Sequence, residues 1–214
     1  MKAQVRPRWI SGIAVASLSA LIAMTLGVAI VHGKEKAEHV RWDITSINFT
    51  APFTVRAGGI ASAKANDGSQ ITLTGAGRFV APDGAHGKKS TATSGGGTWA
   101  VFAPGATTPS ATGTYAVTGL VSWEPTPFPP GGPPPREDLI EPTATRSTGL
   151  AVLDIAYSDG ERGILVVSCT GVTAPANIFE GITATKGYVD YFGRVAPVGG
   201  VDGNRTLFHI EQRD

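Results

Sequence analysis

One cysteine, Cys169, occurs in 214 residues, so no intrachain disulfide can staple this chain and its fold must rest on a packed core. Cys169 also lies far from the N-terminal apolar run, which excludes a lipid-modified cysteine at a cleavage site. Charge of one sign is missing too. Lys and Arg number 18 against 17 Asp and Glu, and no basic footprint for nucleic acid is present. Beyond residue 33, no long stretch carries a helical apolar stripe uninterrupted by Gly or Pro. Catalytic signatures are absent as well: there is no HxH or HExxH, Ser168 lacks the G-x-S-x-G elbow, and no acidic loop has EF-hand spacing.

What is present begins at the N-terminus. Residues Trp9 to Val31 form a run of 23 without a charge, preceded by Lys2, Arg6 and Arg8. As a helix it would extend roughly 34 Å, enough to cross a bilayer core. Two readings follow: an uncleaved anchor, or a signal peptide cut after Val31-His32-Gly33. Basic residues are balanced across the run, so the short basic tail before it sets the expected orientation, N-terminus in and the remainder outside the cytoplasm. The expected organisation is residues 1–33 as anchor or signal peptide and 34–214 as one extracytoplasmic domain. Without the three leader cations that domain has 15 basic and 17 acidic residues, a formal charge of about −2 with His neutral.

Residues beyond 33 include 25 Gly and 22 Thr, and their apolar positions alternate as in strands. Strands are expected from Trp42, on both sides of Asn66-Asp67-Gly68, at 98–102, 113–123, 148–158, 162–172, 181–192 and 205–211. Asp-Gly pairs tolerate the positive φ of tight hairpin turns, which predicts hairpins at Gly68 and Gly160 and a turn at Asp202-Gly203. About nine short-spaced strands imply an antiparallel β-sandwich, with a β-barrel as the alternative. Cys169, in ILVVSC, is expected to point into the core.

Two segments break the strand pattern. The seven prolines between Pro125 and Pro135 predict an extended Pro-rich loop over residues 125–135, and Ala81 to Gly97 reads as a flexible Gly-rich loop, tipped by Lys88 and Lys89. Its glycines precede a strand rather than a helix, so they do not form a phosphate loop, and Gly75 in GAGRFV lacks the rest of a dinucleotide fingerprint.

Candidate chemistry is sparse. His39, His86 and His209 are isolated, and no metal or cofactor is expected. His209 shares a strand face with Leu207 and reads as a structural histidine, because a general base needs a positioned partner that the sequence does not identify. Asp154, Asp190 and Glu180 lie in or beside apolar strands, where a carboxylate needs a partner; Arg162, Arg194 and Arg205 are the expected ones, and a glycosidase pair is the sharper reading. Asp67, Asp83, Asp159 and Asp202 read as turn formers. Tyr188 and Phe192 should share one face and Tyr191 the other, which makes an aromatic platform conceivable, whereas Trp99 and Trp123 belong to the core. The function expected is non-enzymatic, a binding or structural role at the cell surface toward a protein, glycan or small molecule. The alternatives are an extracellular hydrolase or lyase, and a barrel carrying an apolar ligand. No catalytic residue is assigned.

Overall fold

The computed structural model describes residues 37–81, 90–126, 136–170 and 178–211. The apolar run at 9–31, the cleavage site, His86, Asp83 and prolines 127–135 lie outside them. Among the described residues, no helix is long and apolar enough to cross a membrane.

Fourteen strands make up the described chain: β1 (Glu38–Asn48), β2 (Thr54–Ala57), β3 (Ala61–Lys64), β4 (Gln70–Leu73), β5 (Ala76–Ala81), β6 (Thr93–Phe102), β7 (Ala111–Thr126), β8 (Glu137–Asp138), β9 (Thr145–Tyr157), β10 (Arg162–Cys169), β11 (Gly181–Lys186), β12 (Val189–Tyr191), β13 (Gly193–Arg194) and β14 (Gly200–Glu211). Six of them close on themselves, in the order β1-β5-β6-β7-β9-β14 and back to β1, with every neighbour antiparallel. The fold is therefore all-β, and a closed barrel with added strands replaces the expected sandwich. Closure depends on β7, which pairs with β6 from Ala111 to Ala116 and with β9 from Tyr115 to Thr126. Register shifts between Val117 and Gly119 and between Leu120 and Ser122 bend it enough to do both.

The interior is closed by side chains. Phe79 of β5 and Phe208 of β14 both pack on Trp123 of β7, with ring centroids 5.5 and 4.6 Å away. None of these strands is a neighbour of another in the barrel, so the three rings meet across its lumen. Trp42 faces Phe208 in register and is wholly buried with Val40 and Ile44. Toward the other end, Trp99, Tyr115 and Tyr157 form a second aromatic group, capped by Lys186, whose ammonium lies 4.3 Å from the Trp99 ring and pairs with Asp159 and Glu161. Burying four indole or phenyl side chains contributes on the order of 10 kcal/mol before conformational entropy is charged against it.

Several segments depart from the sequence-based expectation. The glycine run is strand rather than loop, because Gly95 to Gly97 belong to β6. There β5, β6 and β7 approach so closely that a Cβ on Gly95, at φ +120°, would sit 2.4 Å from the Gly77 Cα, the backbone crowding that glycine in a barrel strand serves. Pro125 lies inside β7, opposite Gly149, where β7 is paired on one side only among the described residues, so its missing donor breaks no second ladder. The 181–192 strand is split by Gly187, at φ +56°, into the β11–β12 hairpin. Asp202-Gly203 does turn the chain, inside the span of β14: Val198 N–H donates to Gly203 O, Asn204 has φ +50°, and the register against β1 jumps between Gly200 and Arg205. The hairpins at Gly68 and Gly160 form as expected, with Gly68 N–H donating to Ala65 O and Gly160 N–H to Tyr157 O.

Candidate functional site

Alternation on β1 sends Glu38, Val40, Trp42 and Ile44 inward and His39, Arg41, Asp43 and Thr45 outward. Register then aligns the outward residues of four adjoining strands. Arg78 of β5 pairs with Arg41, Arg41 with His209 of β14, and His209 with Arg146 of β9. A row of four basic side chains thus crosses the outer wall of the barrel.

The chain lays an acidic strap over this row. After the Pro-rich segment, β8 adds in parallel to β2, and the Asp138 Oδ1 accepts the Ile140 and Glu141 amides, turning the strap across the wall. Asp138 Oδ2 lies 2.7 Å from His209 Nε2 and 4.0 Å from Arg146. Glu141 pairs with Arg41, at 3.6 Å, and with Arg78. Two more carboxylates come from the wall itself: Asp43 accepts a two-pronged pair from Arg41 at 2.7 and 2.9 Å, and Glu211 binds Arg78. Four carboxylates therefore meet four basic side chains. Burial works to raise the Asp138 carboxyl, but the His209 contact and the two strap amides outweigh it and hold the group below its ordinary range.

His209 is wholly buried, not half-buried as its strand pattern implies, because the strap covers the outer face. Its partner is Asp138, 71 positions away in a segment that reads as loop. The other ring nitrogen, Nδ1, is buried without a hydrogen-bond partner.

Beside the strap opens a groove of about 610 Å³, lined by residues that include Arg136, Asp138, Leu139, Pro142 and Arg146. Arg136 differs from the row in having no carboxylate within ion-pair distance among the described residues. Its Nε is buried and unpartnered, and its guanidinium lies 4.7 Å from the Phe49 ring, which Arg205 also approaches at 5.2 Å. Burial, then the charges of Arg205 and Arg146, lower the affinity of Arg136 for its proton.

The carboxylates singled out in the sequence do not gather here. Glu180 is buried and accepts the amides of Thr170 and Thr206, each at 2.9 Å, rather than an arginine fork. Desolvation pushes it up to about 7, against the pull of those amides and of Arg205. Asp154 is half-buried on β9 and Asp190 exposed on β12, with β10 and β11 between their strands. Arg194 stacks on Phe179 at 4.2 Å. Ser168 is buried, its hydroxyl unpartnered. Asp67 and Asp159 do hold turns, accepting the Ser69 and Glu161 amides. Tyr188 and Phe192 are exposed and Tyr191 is buried. Cys169 is buried, and desolvation raises its thiol well above the ordinary value. Among the described residues, no group of three His, Cys, Asp or Glu side chains could hold a metal ion.

Sequence could have flagged Arg136, Asp138 and Glu141 through the charge-rich REDLIE that follows the prolines, but nothing local shows which wall receives it. Comparison with known proteins leaves the assignment to this geometry: no family model, no curated protein and no solved structure matches the chain.

Proposed function

We propose that this chain is an exported all-β domain, secreted or tethered through residues 9–31, that binds a ligand in the groove beside the acidic strap and does not catalyse a reaction. The observation that carries this reading is the contrast between converging groups that are already spent and a concavity that is open. His209, Asp138, Glu141 and the arginine row pair with one another under the strap, with His209 Nδ1 and Glu141 Oε2 left buried and unpartnered, whereas the groove beside them exposes Leu139 and an arginine with no carboxylate within ion-pair distance among the described residues. Aromatic packing across the lumen speaks against an apolar ligand inside the barrel.

A hydrolase or lyase draws support from one feature, the buried His209–Asp138 pair, which has the geometry of a base and its orienting carboxylate. The imidazole is sealed from solvent, and that weighs against it.

The test is a thermal-shift screen of the full chain in detergent against charged and neutral small molecules and glycans, repeated on the Arg136→Gln/Arg146→Gln double variant. A ligand that raises Tm in the native chain and loses that effect in the variant supports the reading. Ligands that act equally on both, or turnover abolished by His209→Gln, overturn it.

A further inference from the structure

The groove deepens that reading, on which this inference rests, because its chemistry points to a ligand class. Neighbouring cations on this wall fall into two sets. Arg41, Arg78 and Arg146 each have a carboxylate within 4.0 Å, while Arg136 and Arg205 have none within that distance among the described residues and both lie close to the Phe49 ring. The nearby guanidinium groups of Arg205 and Arg146 repel Arg136, and its depressed proton affinity reflects that repulsion after its burial, although Arg205 also feels the Glu180 carboxyl. Glu137 and Asp138 also line the groove; neither forms an ion pair with Arg136, and Asp138 lies 4.0 Å from Arg146. The unpartnered Nε–H of Arg136 is a buried donor, and leaving such a donor unsatisfied is costly. A guanidinium that lines a groove without a carboxylate matches a planar or tetrahedral oxyanion, which can accept two parallel hydrogen bonds.

We infer that the groove lined by Arg136 and Arg146 binds an oxyanion, a carboxylate or phosphate group carried by a small molecule or polymer outside the cytoplasm, with the charge of Arg205 close enough to act on Arg136. The apolar lining from Leu139 and Pro142 would face the uncharged part of such a ligand. Both sources share the same recognition chemistry, and the titrant distinguishes them.

The experiment follows the arginine Nε–H signals of the full, arginine-labelled chain in detergent by NMR, the Arg136 signal being assigned with Arg136→Lys. Sodium phosphate and sodium acetate are titrated separately against sodium chloride at matched ionic strength. Saturable movement of Arg136 with phosphate or acetate, a fixed Arg162 signal, and at least fivefold weaker half-saturation in Arg146→Gln are expected. The stronger titrant identifies the source. An unmoved Arg136, or movement matched by chloride, which is an adventitious ion only, overturns the inference. If a neutral ligand from the thermal screen shifts the Leu139 and Thr145 amides while both oxyanions leave Arg136 unmoved, the oxyanion inference fails and the groove reading stands. If nothing shifts the groove, both fail.

Discussion

The lumen of the barrel and its outer wall are built from the same strands, in alternate residues, and are held by opposite physics. On β1, Trp42 packs inward among aromatic rings while Arg41 and Asp43, on either side of it, belong to an ion-paired network outside. Burial of apolar surface depends mainly on volume and shape, so the lumen is governed by how well its side chains fill it, with directed contacts such as the Trp123 Nε1–H bond to Glu38 added to that packing. Charges on the wall need a matching strap, and the chain supplies one from a distant segment. The lumen should therefore respond to side-chain volume and the wall to charge, pH and salt.

The largest effect should come from the lumen. Trp123→Ala, which removes the ring between Phe79 and Phe208, should destabilise by about 4 kcal/mol, measured by urea unfolding, with little dependence on salt. A salt-dependent loss would break the distinction. Next is the buried Glu180, whose folded value of about 7 lies above the ordinary 4.5. The folded state then holds more protons than the unfolded state between those values, so this group's contribution to stability falls as pH rises from about 4.5 to about 7, by roughly 3 kcal/mol. Glu180→Gln should flatten that part of the pH profile. Asp138 has the opposite sign, because its depressed carboxyl favours the folded state at neutral pH and loses that contribution only as pH falls below the ordinary carboxylate range.

Asp138→Ala should cost about 2 kcal/mol, since it strips His209 of its remaining partner and frees two strap amides. Smallest is Glu141→Gln, on half-exposed pairs with Arg41 and Arg78, at about 0.5–1 kcal/mol in dilute buffer and less in 1 M salt. Equal losses at both ionic strengths would place the Glu141 contacts with the lumen rather than with the wall.

Much of the strand layout was legible because it is local. Asp67-Gly68 and Asp159-Gly160 specify their hairpins within a few residues, and the alternation in β7, β9 and β10 marks their faces. Closure into a barrel was not, because it depends on two bulges in β7 and on glycines whose neighbours are distant backbones. Gly95 is a loop residue by composition and a crossing point by structure. The wall was hidden for the same reason. Each member of the Arg78-Arg41-His209-Arg146 row comes from a different strand, and His209 looks isolated until β14 is set between β1 and β9.

Hydrogen exchange in the Asp138→Ala/Glu141→Ala double variant tests the account most directly. Loss of the strap's acidic groups should lower protection of the Leu139 amide, which donates to Val55 O, at least 30-fold, while the Leu153 and Leu165 amides of the barrel and its flanking strand keep theirs. Protection of the strap that survives the double substitution, or a loss shared equally by β9 and β10, would contradict the claim that charge complementarity holds the strap to an independently packed barrel.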